Sequence, residues 1–377
     1  MKTQLRKFGP DFNISTLAMG TMRLPCKEGG EVNYPLAIDL IRYAIDNGIN
    51  YVDCAWFYHG EHSELVTGQA LKNGYRDKTK IADKLPMWEC KTTADMERIF
   101  DTQRKRLDTD RIDYYLIHAL DTGNLASAKK FGAIDFLEKL KAQGKIGHIG
   151  FSFHDELPLF KEIIDMYKWE MCMIQYNLID VNFQAGVEGL RYAHSKGIPV
   201  MIMEPLKGSA LVNPPLPIID AYPVSKLGYG YPDIALKFLA DQPEVASILS
   251  GMTTREHIDQ NLKAINSTKP NSLTVAEHKI IKGMQDIYKG ISNIPCSDCK
   301  YCLPCPQKVA INKVFEIYNS AYGFGGYGNH RAAYRNELIN KGTDASKCNA
   351  CKKCLKLCPQ GIDIITKLSE AHKVLLG

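Results

Sequence analysis

The chain has 377 residues, of which 45% are hydrophobic and 24% charged, with a formal net charge of +5. That length suggests two domains, the balance suits a globular chain able to bury a large core, and so mild a charge argues for neither a nucleic-acid nor a membrane partner. No run approaches 18 consecutive apolar residues and the N-terminal "MKTQLRKFGPDF" has no apolar secretory core, so the expectation is a cytoplasmic protein.

From Ile14 to about Leu262, short β-branched runs alternate with amphipathic stretches. The expected strands are "ISTLAMGTM" from Ile14, "NYVDCA" from Asn50, "TKIADKL" from Thr79 and "DYYLIHA" from Asp113. They continue with "IGHIGFS" from Ile146, "CMIQYN" from Cys172, "IPVMIMEPL" from Ile198 and "VASILSG" from Val245. Between them, "PLAIDLIRYAIDNG" and "GAIDFLEKLKAQG" read as helices that end on glycine, the residue that tolerates a left-handed cap. Continuous apolar strands separated by helices imply a parallel sheet covered by those helices. Eight such units predict an α/β chain with a (β/α)8 TIM barrel over residues 1–270, an open doubly wound sheet being the alternative. Residues 271–377 form a second domain, entered through the helical "LTVAEHKIIKGMQDIYKG". Within it, "NSAYGFGGYGNHRAAYRNEL" reads as an irregular loop packed through its aromatic rings.

In a parallel barrel the chemistry lies where strands end and βα loops begin. Those positions hold Asp53, Lys84 and His118 after three successive strands, with Tyr58 five residues beyond Asp53. An ammonium beside a phenol stabilises the phenolate and draws the tyrosine pKa down towards a useful range for a general acid. Asp53 would keep the lysine charged and oriented, and His118 would donate to an oxygen that becomes anionic. Trp56, Phe57, His59 and Trp88 suggest a partly aromatic wall. Any one of these residues alone reads as structural; their convergence is what argues for a site.

The strings "DCAWFYH", "ADKL", "LIHAL", "GFSFHD", "IQYN" and "MEPLKGS" resemble the aldo/keto reductase superfamily from the N-terminus to about residue 265. The resemblance implies a catalytic tetrad of Asp53, Tyr58, Lys84 and His118, and an NAD(P)-dependent oxidoreductase moving hydride to or from a small carbonyl or alcohol substrate. It implies that Ser152 and Gln175 hold the nicotinamide carboxamide and that Pro205, Leu206 and Gly208 lie along the pyrophosphate. Gln260 and Asn261 would approach the adenine. Two positions depart from the family pattern: Phe153 replaces an asparagine, and Met203 replaces the tyrosine that stacks on nicotinamide. After the eighth strand, "GMTT" lacks the basic residues of members that prefer the phosphorylated dinucleotide, Arg255 following only afterwards, so NADP and NAD both stay open.

The tail carries two cysteine runs. Cys348-x2-Cys351-x2-Cys354-x3-Cys358-Pro has the bacterial ferredoxin spacing for a [4Fe–4S] cluster, and Cys296-x2-Cys299-x2-Cys302-x2-Cys305-Pro is one residue shorter. The second domain is therefore expected to be a small ferredoxin-like iron–sulfur domain. Where two clusters share such runs, the fourth cysteine of each run serves the other cluster. On that pattern Cys296, Cys299, Cys302 and Cys358 hold one cluster, and Cys348, Cys351, Cys354 and Cys305 the other. A single cluster and zinc, which also accepts four thiolates, are the alternatives. Some aldo/keto reductase-like proteins carry such an extension, and the chain resembles that subgroup throughout. Lys347, Lys352, Lys353 and Lys356 either dock an acidic electron carrier of the ferredoxin or flavodoxin type or form a solvated face. The clusters are expected to relay electrons, support the fold or sense redox state. The alternative reading of the whole chain is a nucleotide-binding regulatory protein without turnover.

Overall fold

A computed structural model describes residues 3–10, 12–207, 211–291, 294, 296, 302–324, 327–358 and 361–377. The chain divides into two compact units, Met1–Leu211 with Tyr229–Glu277, and Val212–Gly228 with His278–Gly377.

The first unit begins with an antiparallel pair, β1 (Leu5–Lys7) and β2 (Asn13–Ser15). Eight parallel strands then close a barrel: β3 (Leu17–Gly20), β4 (Tyr51–Asp53), β5 (Lys80–Leu85), β6 (Ile112–Leu120), β7 (Ile146–Phe153), β8 (Met171–Gln175), β9 (Val200–Met203) and β10 (Val245–Gly251). They follow one another in sequence order, with β10 pairing back to β3. The expected barrel is present and the open sheet is not. One strand differs from expectation. The run from Ile14 breaks at Thr16, and Ile14 belongs to the hairpin rather than to the barrel.

Helices fill each crossover, and the signals that predicted them are visible in their ends. The helix Tyr34–Asp46 opens on Asn33, whose side chain accepts from the Leu36 N–H, with proline in its first turn. Gly48 and Gly144, after two of the predicted helices, have φ of 93° and 71°, which a side chain would strain. The main core packs the outward strand faces against these helices. A smaller core fills the barrel itself, with Ala18, Tyr51, Ala82, Tyr114, Met171, Met173 and Met201 meeting Phe8 and Ile14 of the hairpin.

Alternation along the strands carries this lumen set upward to the site. Two residues beyond Tyr51 comes Asp53, beyond Ala82 comes Lys84, and beyond Leu116 comes His118. Beyond Met173 comes Gln175 and beyond Met201 comes Met203. The lumen is thus apolar at its floor and polar at the carboxyl ends of its strands.

The second unit is helical over its described residues, with helices at Ile311–Phe324, Tyr327–Tyr334 and Ile364–Leu376. Its core comprises Val314, Phe315, Tyr318, Tyr334, Leu338, Leu368 and Leu375 among others, with most of the described cluster cysteines packed at its edge. The aromatic stretch expected as an irregular loop is instead helical over its described residues, and its last residues enter a π-helical turn, Arg335–Ile339. Tyr334, read as a loop aromatic, is a core residue of the second of those helices. No described helix is long and apolar enough to cross a membrane.

Candidate functional site

Asp53, Tyr58, Lys84 and His118 line one cavity of about 500 Å3 at the carboxyl ends of the barrel strands, with Ser152, Pro205 and Leu206. That volume suits a small ligand together with part of a cofactor. The Lys84 ammonium, 1% exposed, donates to Asp53 Oδ2 at 2.5 Å and to the Cys54 carbonyl at 2.7 Å. Burial alone would strip the lysine of its proton, but the Asp53 carboxylate outweighs it and holds Lys84 charged. Burial also raises the Asp53 carboxyl, against the pull of Lys84.

Lys84 Nζ lies 5.0 Å from the centre of the Tyr58 ring. The expectation that the lysine draws the tyrosine pKa down is only half met. Burial pushes Tyr58 up by more than Lys84 lowers it, so the phenol rests above its ordinary range, fully protonated. His118 moves the opposite way. Burial, then the nearby Lys84 charge, holds it well below the usual histidine range, so the imidazole is neutral. Its faces are fixed by rings: Phe57 stacks on it at 5.5 Å and 18°, and Trp88 lies 5.1 Å away.

Phe57 and Trp88 therefore make the expected aromatic wall, while two neighbours do not join it. Trp56 lies under the Arg106 guanidinium, 4.3 Å away, and His59 accepts from the Leu24 N–H at 3.1 Å. Phe153 points outward against Phe160, and Met203 lines the cavity. Cys54 is buried, donates to the Ala82 carbonyl at 3.1 Å and is pushed up by burial, an inert thiol.

The residues expected at a dinucleotide are spread around this cavity. Ser152 Oγ accepts from the Ala119 N–H at 2.7 Å. Gln175 ends β8 just outside the lining; its amide donates to Asp180 at 3.0 Å, while its Oε1 is buried and meets no partner among the described residues. Asn261, on the helix Arg255–Asn266, donates to Ser250, which lines the cavity. Gln260 is exposed on the same helix, and Gly208 lies outside the described residues. Sequence reasoning missed Arg23, an exposed lining residue whose stem lies against Gly251 and whose charge has no carboxylate partner among the described residues. A cation directly after the first barrel strand was the available signal. Arg255, the base after "GMTT", is instead held by Asp39 at 2.6–3.1 Å.

In the second unit, Cys302, Cys305, Cys348, Cys351 and Cys354 line a cavity of about 90 Å3. Burial, then the neighbouring Cys348, Cys305 and Cys351, raises the Cys354 thiol, so sulfurs from both runs face one another. Cys296 and Cys358 pack at the edge of the same core, and Cys299 lies outside the described residues. Among the described residues no His, Cys, Asp and Glu side chains are gathered tightly enough to hold a single metal ion. One G-x-G-x-x-G string, residues 323–328, begins at the end of a helix, without the strand that a dinucleotide fingerprint requires.

With this geometry in hand, the profile described as "Aldo/keto reductase family" matches residues 16–221, more than half of the chain. The chain belongs to the aldo/keto reductase family. Residues 295–362 match the "4Fe-4S dicluster domain" profile, so the reductase barrel is followed by an iron–sulfur domain. An uncharacterized oxidoreductase, YqkF, of Bacillus subtilis is 28% identical over 75% of this chain and 98% of its own length. The NADH-specific methylglyoxal reductase of Escherichia coli is 25% identical over 68% of this chain and 91% of its own. An aldo-keto reductase from Klebsiella pneumoniae, solved in complex with NADPH, shares the fold with a TM-score of 0.62 at 22% identity, covering 76% of this chain and 96% of that one. This aldo/keto reductase thus keeps the family barrel and extends beyond it at its C-terminus.

Proposed function

We propose that the barrel reduces a small aldehyde or ketone with reduced nicotinamide dinucleotide, and runs the reverse oxidation of the alcohol, with Tyr58 as the proton donor. The observation that carries this reading is the buried Lys84–Asp53 pair beneath a protonated Tyr58 and beside a neutral His118, all lining one cavity. A bound reduced nicotinamide would supply hydride to the carbonyl carbon. As charge builds on the carbonyl oxygen, Tyr58 gives it a proton. The Lys84 ammonium, kept charged by Asp53, stabilises the phenolate that results. His118 offers its single N–H to the same oxygen, its ring held by Phe57 and Trp88.

The unpartnered Gln175 Oε1 and the Ser152 hydroxyl suit a carboxamide, and the free charge of Arg23 suits a dinucleotide's phosphates. Because Arg255 is held in a bidentate pair by Asp39, it is not free to meet a ribose 2′-phosphate, which favours NADH over NADPH. Competitive binding titrations test this: NADH should bind more tightly, and D39N should narrow the gap by improving NADPH alone. Equal affinities in the parent chain would refute it.

In the tail, the cavity lined by Cys302 and Cys305 of the first run and Cys348, Cys351 and Cys354 of the second suits one [4Fe–4S] site, for which the crossed pattern takes Cys305 with the three cysteines of the second run. Cys296, Cys299, Cys302 and Cys358 are left for a second. Bound clusters would supply one-electron transfer. Lys352, Lys353 and the exposed Leu357 rim the first cavity, and Lys347 and Lys356 are also exposed, a surface suited to an acidic ferredoxin- or flavodoxin-type carrier. The relay is tested anaerobically: chain reduced with dithionite and freed of excess is mixed with NAD+ or NADP+ and no carbonyl compound. Loss of the reduced-cluster EPR signal with appearance of reduced nicotinamide supports it. Clusters that stay reduced refute direct exchange and leave the tail as scaffold or sensor.

A further inference from the structure

On the outward face of β5, one residue before Lys84, stands a second carboxyl group, that of Asp83. It is 0% exposed. Its Oδ1 accepts from the Lys84 N–H at 2.8 Å, and its Oδ2 is buried and meets no donor among the described residues. Its neighbour in hydrogen-bond reach is another carboxyl group, that of Glu64 from the helix His62–Ala70, also 0% exposed. The two oxygens of Glu64 are already engaged: Gln103 Nε2 donates to one at 3.1 Å, and Arg106 to the other at 2.9 Å.

Two buried carboxyl groups in contact cannot both be ionised, because neither charge is solvated and each repels the other. The arrangement decides which keeps the proton. Glu64 has a guanidinium and an amide donating to it, as a carboxylate requires. Asp83 has one oxygen with no donor, which is where an acid carries its hydrogen. The other groups facing the pair are Lys84, Asp53 and Cys54 from the barrel, Tyr115 from β6, and Glu61, which shares Arg106 with Glu64. Burial first, and Glu64 next, push the Asp83 carboxyl well above its ordinary range.

The same cluster holds Lys84 by its backbone. Asp83 takes the Lys84 N–H, and Gln103 donates to the Lys84 carbonyl at 3.0 Å while its own oxygen accepts from the Tyr115 hydroxyl at 2.6 Å. We propose that Asp83 is a neutral carboxylic acid hydrogen-bonded to the Glu64 carboxylate, and that with Gln103 it is a positioning residue for Lys84. Its proton keeps a second negative charge away from Lys84, so Asp53 remains the lysine's counter-ion. This positioning role rests on the carbonyl-reductase reading; the protonation of Asp83 does not.

The direct test is infrared difference spectroscopy of the intact chain in H2O and D2O at slightly alkaline pH, with no substrate. The parent protein should show the deuterium-sensitive carbonyl stretch of a neutral carboxylic acid. D83N should lose that band and D53N should keep it. Absence of the band from the parent, its survival in D83N, or its loss in D53N alone would each overturn the assignment. The positioning role is read from turnover: D83A should lower kcat/KM at least tenfold, and D83N, which keeps an acceptor for Lys84 and a donor for Glu64, should recover most of that loss. A D83N as impaired as D83A would overturn it. Because the infrared measurement needs no turnover, an inactive parent chain would count against the carbonyl-reductase reading while the band still decides the state of Asp83.

Discussion

At the scale of residues, the site is a set of pKa values pushed apart by burial. Tyr58 lies above its usual range, chiefly because it is buried, and His118 well below it for the same reason. A general acid must hold its proton to donate it. Reduction should therefore be level from about pH 6 to about pH 9 and fall only as pH rises beyond the ordinary tyrosine range of about 10. An inflection near 6.5 in the pH profile of kcat/KM would contradict the neutral state of His118. Removing the proton donor isolates its role: Y58F should lower kcat by about 100-fold or more while changing dinucleotide affinity little, as read by stopped-flow turnover and fluorescence titration. Much of this constellation was legible, because strand-end positions and family strings mark Asp53, Lys84 and His118 directly. Burial was not legible. A lysine next to a tyrosine predicts a lowered phenol pKa, and only the depth of the pocket reverses that sign. Arg23 and Asp83 were missed because their significance lies in neighbours distant in sequence, Gly251 and Glu64.

At the scale of elements, two contacts across the barrel make separate demands. Glu170, before β8, accepts from His148 Nδ1 at 2.7 Å, Lys141 Nζ at 2.6 Å and the Ile149 N–H at 2.9 Å, tying β7 and the helix Ala133–Ala142 to β8. Burial alone would raise its carboxyl, but these donors outweigh it and bring the pKa down to about 2. A depressed carboxyl contributes stability that is present above its unfolded value and lost as pH falls towards the folded one. E170Q should thus cost about 1–2 kcal/mol at pH 7 in urea unfolding, allowing for partial exposure, and the gap should close as pH falls from about 4.5 to about 2. A gap independent of pH would contradict the assignment. The floor of the barrel is closed by Phe8, 2% exposed, with its ring 5.2 Å from Tyr114 and 6.0 Å from Tyr51. F8A should cost about 3–5 kcal/mol by the same measurement. The eight barrel strands were legible from their apolar runs, whereas this hairpin was not. Its strands are three residues each, too short for a period to show, and the "FGP" turn between them leaves Ile14 looking continuous with β3. The helices around the aromatic stretch were hidden by glycines that break the helical pattern, although tertiary burial of Tyr334 overrides that weakness.

At the scale of the whole molecule, a barrel suited to two-electron hydride chemistry precedes a domain suited to one-electron clusters, and each half has its own core. The spacing of the cysteines announced the second half. Only the folded chain brings Cys302 and Cys305 of the first run to the cavity of Cys348, Cys351 and Cys354. If two clusters form with crossed ligands, anaerobically purified chain should carry about eight iron atoms, and C305A should lose about half while retaining the other cluster's EPR signal. Full iron content in C305A would contradict the crossing. The measurement that bears most directly on the central claim is a single-turnover reaction of the parent chain and Y58F. Reduced nicotinamide labelled with deuterium at its transferable position would be offered with a panel of small aldehydes and ketones. One deuterium should appear on the carbinol carbon for each nicotinamide oxidised by the parent chain, and Y58F should bind without transfer. Tight binding with no transfer by the parent chain, or unchanged transfer in Y58F, would contradict it.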